Sequence, residues 1–248
     1  TSMHEVLQTY LTVMYNDTIK MADALPLDEM LLHRMKKNYN TIMEKNGGEV
    51  FCEQSDMEEF YNHGLIILDW FKKKRNMYFS KKGYELVGIE VPVNYDLPNK
   101  IKFIGYIDVV LHDTKRDRYK IIDIKTSTMG WNKYQKADKS KTDQLLLYKY
   151  FYGAEHNIPV DKIDVEYFIV KRKLYEKLDF PQRRVQTFSP ASGKPSINKL
   201  MNNLNHFLEE SFIDGEYNLE HNYIKQPSKK NCRYCVFNQT EHCDVGVK

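Results

Sequence analysis

Residues 101–112 and 118–125 are rich in β-branched and aromatic side chains, and the polar stretch Asp113-Thr114-Lys115-Arg116-Asp117 lies between them. That pattern predicts a β-hairpin. A turn centred between Lys115 and Arg116 sets the register: Asp113 faces Arg118, and Asp108 faces Asp123. Two carboxylates placed side by side repel by up to about 1 kcal/mol unless a cation neutralises them. Side chains two apart on a strand share a face, so Lys125 projects beside Asp123 while Ile122 and Ile124 point into a core. Hard carboxylate oxygens suit Mg²⁺ or Mn²⁺, and a lysine beside such an ion can hold an attacking water or offset charge on a phosphate. The competing reading is a solvated strand face carrying a ladder of charges.

The chain has 248 residues, 42% hydrophobic and 29% charged, which is enough for one large domain or a core with appendages. It contains no apolar run of the ~18 residues that a membrane span requires, and no signal peptide is visible. The expectation is a soluble protein of the cytoplasm, in a bacterial or phage-infected cell. The net charge of +3 says little, but residues 72–75, 133–141 and 171–173 are basic clusters. Such clusters either track a phosphate backbone or form solvated surface.

Apolar residues at helical spacing predict a first helix through Val6, Leu7, Tyr10, Leu11 and Met14. His4 falls in its first turn, where a histidine caps or packs more often than it ligates. Because the chain opens inside this helix cap, a native sequence continuing upstream is expected. A second helix is predicted over residues 28–45, ending at Gly47-Gly48. A third opens with a capping box from Ser55 to Glu58 and runs to Lys74. Residues 84–94 alternate as a strand containing Glu90, which either approaches the same metal or lines a sheet edge. Pro92 favours the edge. After Lys125, a polar turn brings Thr126, Ser127, Thr128 and Trp131 beside the carboxylates. In the helix predicted over 141–157, Gln144 and Tyr148 share a face. They orient DNA or the lysine, or they form an ordinary polar stripe. Strands over 163–170 and 184–188 and a helix over 196–212 complete a mixed sheet flanked by helices, an α/β (α+β) fold.

Three of the four cysteines, Cys232, Cys235 and Cys243, cluster in the tail. A Cys-x-x-Cys pair in an intracellular protein points to metal ligation or redox chemistry. Three thiolates are one ligand short of a closed zinc or iron–sulfur site, with Cys52, His242 or an upstream cysteine available as the fourth.

Gly105-x-x-Asp108, Asp123-Ile124-Lys125-Thr126 and Gln144-x-x-x-Tyr148, preceded by Thr1-x-x-His4-Glu5 and followed by Cys-x-x-Cys, resemble the PD-(D/E)XK nucleases of the RecB-like group. That group includes the nuclease domains of recombination helicases and the CRISPR adaptation nucleases. The resemblance implies a restriction-endonuclease-like sheet, with a helical part over 1–80, the catalytic sheet and helix over 81–190 and a C-terminal helix over 191–225. A cysteine tail, 226–248, would pack on the same domain. It implies His4, Asp108, Asp123 and the carbonyl of Ile124 as ligands of Mg²⁺ or Mn²⁺, and Lys125 as the catalytic lysine. Gln144 and Tyr148 match the extra motif that supports the site or contacts DNA.

The iron–sulfur subset of the group implies a [4Fe–4S] cluster on Cys232, Cys235 and Cys243 with one upstream cysteine, zinc being the alternative. Here the gap from Cys235 to Cys243 is longer than the usual pattern and the upstream cysteine is missing. The implied activity is phosphodiester hydrolysis of DNA by a single-strand or end-processing exonuclease of recombination or repair, with a helicase or recombination protein as partner. Trp131 and the basic segments would stack and track a single strand. The alternatives are a structure- or site-specific endonuclease on the same core, a non-catalytic DNA-binding subunit, and a zinc-stapled module that recruits a protein.

Overall fold

A computed structural model describes residues 2–175, 177 and 179–247. Thr1, which opens the histidine motif, lies outside them. The chain divides into two compact units, one of residues 1–97 and 102–203 and one of residues 98–101 and 204–248.

The first unit begins with helices α1 (Ser2–Asn16), α2 (Ile19–Asp23), α3 (Leu27–Lys45) and α4 (Gln54–Lys74). The apolar stripe of α1 forms as expected and is buried with Leu27, Leu31, Ile67, Leu68 and Phe71 in one core. The start of α4 differs from expectation. Its capping box is made by Glu53 and Asp56, because these two side chains, and not Ser55 and Glu58, reach the free backbone N–H groups. Short α2 was not legible; Thr18 caps it, accepting from the N–H of Met21.

A five-stranded mixed sheet follows, in the order β1 (Tyr84–Asp96), β2 (Lys102–Asp113), β3 (Arg118–Ser127), β4 (Ile163–Lys171) and β5 (Val185–Phe188). β3 and β4 are parallel and the other pairs antiparallel. The parallel pair requires a crossover, supplied by α5 (Lys133–Ala137) and α6 (Lys139–Glu155). Asp113 pairs with Arg118, and the ladder runs to Val109 opposite Ile122. The paired ladder stops there, one residue short of Asp108 and Asp123.

One side of the sheet, with Val109, Leu111, Ile122, Ile124, Phe168 and Val170, packs on the core of α1 and α4. Phe71, Phe79 and Phe168 meet there at ring-centroid distances of 5.1 to 6.2 Å. Such aromatic pairs add about 0.5–1.5 kcal/mol each beyond their burial. α6 covers the other side through Leu145, Phe151 and Tyr152.

The β1–β2 hairpin does not keep one face. Phe103 stacks on Phe151 of α6 with centroids 4.5 Å apart, and Gly105 lies against Tyr148 of the same helix. Val109 and Leu111, also odd-numbered, pack into the opposite core. Strict alternation would put all four on one side. On β1, Tyr95 contacts Phe151 while Ile89 packs against the α1 core. Both strands therefore turn over near Asp108, where Glu90 opposite it has a left-handed backbone (φ +50°). This turnover positions the site.

The second unit contains the end of α7 (Lys194–Ser211) and a small hairpin, β6 (Phe212–Ile213) and β7 (Glu216–Tyr217). Its two-residue turn, Asp214-Gly215, has positive φ at both positions, the combination a tight primed turn demands. Short helix α8 (Lys229–Cys232) follows, capped by Ser228. No described helix is long and apolar enough to cross a membrane.

Candidate metal centre and lysine site

α1, β1 and β2 bring three side chains to one point. His4 Nε2 is 3.1 Å from Asp108 Oδ2 and 3.9 Å from Glu90 Oε1. Among the described residues, this is the one group of three or more potential side-chain ligands whose atoms all lie within 4.8 Å of one another. The edge reading of Glu90 was incomplete. β1 is an edge strand, and Glu90 also faces the site, because its left-handed backbone redirects its side chain. A non-glycine residue in that conformation costs about 1–2 kcal/mol.

Gln8, which the sequence reading missed, is 6% exposed one helical turn after His4. Its Nε2 lies 3.0 Å from His4 Nε2, donates to Glu90 Oε1 at 2.5 Å and reaches the Asp108 carbonyl at 3.4 Å. The signal was available, since residues four apart on a helix share a face. A single amide thus meets one imidazole nitrogen, one carboxylate and one backbone carbonyl. One imidazole nitrogen and two carboxylate oxygens within 4.8 Å of one another form a donor set that fits a divalent cation.

Asp108 is fixed by the backbone of β3, where the N–H of Ile124 donates to its Oδ2 at 2.6 Å. Asp123 sits apart from the three-residue group. It is 3% exposed and meets Lys125, whose Nζ donates to Oδ1 at 3.1 Å and lies 2.8 Å from Oδ2. Oδ2 has no partner in hydrogen-bond geometry. Burial pushes the Asp123 carboxyl up to about 6, the Asp108 charge adds to that, and Lys125 pulls the other way. The Lys125 ammonium is thus the positive charge that faces this buried carboxylate.

Lys125 also donates to Gln144 Oε1 at 3.3 Å, and Gln144 Nε2 donates to the Tyr148 hydroxyl at 3.3 Å. Gln144 and Tyr148 therefore form a hydrogen-bonded chain that ends on the lysine. Tyr148 approaches because Gly105 has no side chain: a β-carbon there would lie 2.6 Å from Tyr148 Cε1. Lys125, Gln144 and Trp131 line a cavity of about 390 Å³.

Two expectations need correction. Trp131 is not a free stacking platform. It is 9% exposed, with its ring 4.7 Å from that of Tyr167 and its backbone bonded in both directions to the Gln186 amide. The cysteines are not gathered into an iron–sulfur or zinc site. Cys232 is buried, Cys235 exposed and Cys243 intermediate, and no described group of ligand atoms within 4.8 Å includes them. Cys232 ends α8, and Cys243 belongs to a following turn bridged to Thr240. Cys52, at the start of α4, accompanies Asp56 instead.

The sequence from residue 1 to residue 240 matches the PD-(D/E)XK nuclease superfamily. No curated protein matches it. The match spans every element that builds the centre, from the histidine of α1 to the Gln144–Tyr148 pair of α6. The chain belongs to the PD-(D/E)XK nuclease superfamily.

Proposed function

We propose that the chain is a metal-dependent DNA nuclease, acting as an exonuclease on single strands or free ends in recombination or repair. Within the superfamily the reading follows the RecB-like group. The observation that carries it is the convergence of His4, Glu90 and Asp108 next to the Asp123–Lys125 pair.

His4, Glu90 and Asp108, with Asp123 and the carbonyl of Ile124, would hold Mg²⁺ or Mn²⁺. When bound, such an ion polarises a scissile phosphate and lowers the pKa of a bound water. Asp123 would join that oxygen set as its carboxylate. Lys125 would present its ammonium to the attacking water or to the charge growing on the phosphate, worth several kcal/mol in a water-poor site. Gln144 and Tyr148 act as positioning residues that limit where the lysine can go. The basic stretch 133–141 precedes and opens α6, close in sequence to Gln144, and supplies charge for a phosphate backbone.

The test is incubation with single- and double-stranded DNA labelled at either end, with Mg²⁺, Mn²⁺ or EDTA, beside Asp123→Ala and Lys125→Ala. Expected is digestion that requires metal, starts from one labelled end and is lost in both variants. A uniform internal ladder points to an endonuclease. Binding without cleavage in every condition overturns the catalytic reading in favour of a DNA-binding subunit.

A further inference from the structure

A second cavity, of about 470 Å³, adjoins the catalytic strand and takes no part in the chemistry above. Its walls come from α1, α3 and α4 and from the end of β3. Ser2 and Met3 on one side directly precede His4, and Thr126, Ser127 and Thr128 on the other directly follow Lys125. At the rise of a strand, these three residues lie within about 10 Å of the lysine along the chain.

The remaining lining does not resemble a core. Phe51 and Phe60 are 46% and 38% exposed although both are large and apolar. Tyr39 and Phe51 lie with rings 5.0 Å apart and 31° from parallel. The Arg172 guanidinium stands 4.4 Å from the Phe60 ring centre. Among the described residues, no carboxylate lies within ion-pair distance of Arg172, whereas the adjacent Lys173 is paired with Glu59 at 2.7 Å. The arginine is held in place by backbone: its N–H donates to the Ser127 carbonyl at 2.9 Å, and its carbonyl accepts from Arg184 at 2.6 Å. Exposed aromatic faces, a guanidinium stacked on one of them and hydroxyls at the rim match a nucleobase with its phosphate, since every base offers a π-face and every nucleotide an anion.

We propose that this cavity is a base pocket, in which one unpaired nucleobase of the substrate strand stacks on the Phe60–Arg172 and Tyr39–Phe51 walls. The proposal rests on the nuclease reading and deepens it. A base must leave its helix to enter, so the pocket selects single-stranded or frayed DNA and sets which nucleotide lies at the metal.

The test is a coupling measurement under non-cleaving conditions, with Ca²⁺ as the only divalent ion. A short single strand carries one abasic site, moved through every position in turn, and its affinity is measured for wild type, Phe60→Leu and Phe51→Leu. For the wild type, one position is expected at which removal of the base weakens binding about tenfold, and in the variants that loss shrinks to under about twofold. An abasic penalty that is equal in wild type and both variants overturns the pocket, as does a penalty spread evenly over all positions. Two variants guard against one failing to fold. Cleavage is scored separately with Mg²⁺, so a protein that shows the coupling but cuts nothing contradicts the nuclease reading and not the pocket.

Discussion

Gly105 and Tyr148 approach so closely that a single methyl group on the glycine would lie 2.6 Å from the tyrosine ring. The ring cannot move without moving its hydroxyl, which holds Gln144, which in turn holds Lys125. Gly105→Ala is therefore expected to lower DNA cleavage tenfold to a hundredfold, roughly the effect of an ångström-scale misplacement. In a Tyr148→Ala background the same substitution should cost little more than the background itself. Steady-state cleavage rates for the two single variants and the double variant decide this. Equal losses in both backgrounds would break the link between glycine and lysine.

Glu90 combines a left-handed backbone with a carboxylate facing another carboxylate. Glu90→Gly removes both costs. It is expected to stabilise the metal-free protein by about 1–2 kcal/mol and to weaken Mn²⁺ binding at least about tenfold. Urea denaturation in EDTA and a Mn²⁺ titration measure the two effects. If stability falls together with affinity, Glu90 holds the strand and not the ion.

The raised carboxyl of Asp123 makes stability depend on pH in a defined direction. Its value is about 6 in the folded protein against an ordinary 3.8, with burial the first cause. Between those values the folded chain keeps a proton that the unfolded chain has lost. Stability of the metal-free wild type therefore falls as pH rises from about 4 to about 6, by on the order of 3 kcal/mol relative to Asp123→Asn, and the difference is flat above that window. Urea midpoints at several pH values in EDTA provide the test, and parallel curves for the two proteins would refute it.

Away from the centre, Asp23 ties the helices together. It accepts from the Tyr10 hydroxyl at 2.7 Å and from Arg75 at 3.0 Å, while its backbone carbonyl accepts from Lys72 at 2.9 Å. Asp23→Ala leaves a buried phenol without its acceptor and a largely buried guanidinium without its carboxylate, and should cost about 2–4 kcal/mol. Mn²⁺ affinity of the folded protein should be unchanged. A stability loss below about 0.5 kcal/mol would mean that water replaces the carboxylate.

The sequence made the hairpin legible because its information is local. β-Branched runs and a charged turn fix the register, and Asp113 pairs with Arg118 as that register requires. The apolar stripe of α1 and the mixed sheet were readable for the same reason. Glu90 and Gln8 were harder. An alternating strand gives no warning that it turns over at one residue, and a glutamine on a helix is ordinary until a long-range contact buries it. Trp131 was misread because a tryptophan after a catalytic strand can point into water or into the sheet, and only Gln186, 55 residues away in sequence, settles which. The cysteine spacing suggested convergence, yet backbone turns decide where sulfurs lie, and among the described residues no group of three ligand atoms includes a cysteine.

His4, Glu90 and Asp108 are expected to bind one cation, with Lys125 outside the ligand set. This is tested most directly by titrating the protein with Mn²⁺ and following the free-ion paramagnetic resonance signal. Wild type and Lys125→Ala are predicted to take up the ion alike, while Asp108→Asn and Glu90→Gln lose affinity at least about tenfold. Uptake by Asp108→Asn equal to that of wild type would mean that the ion binds elsewhere.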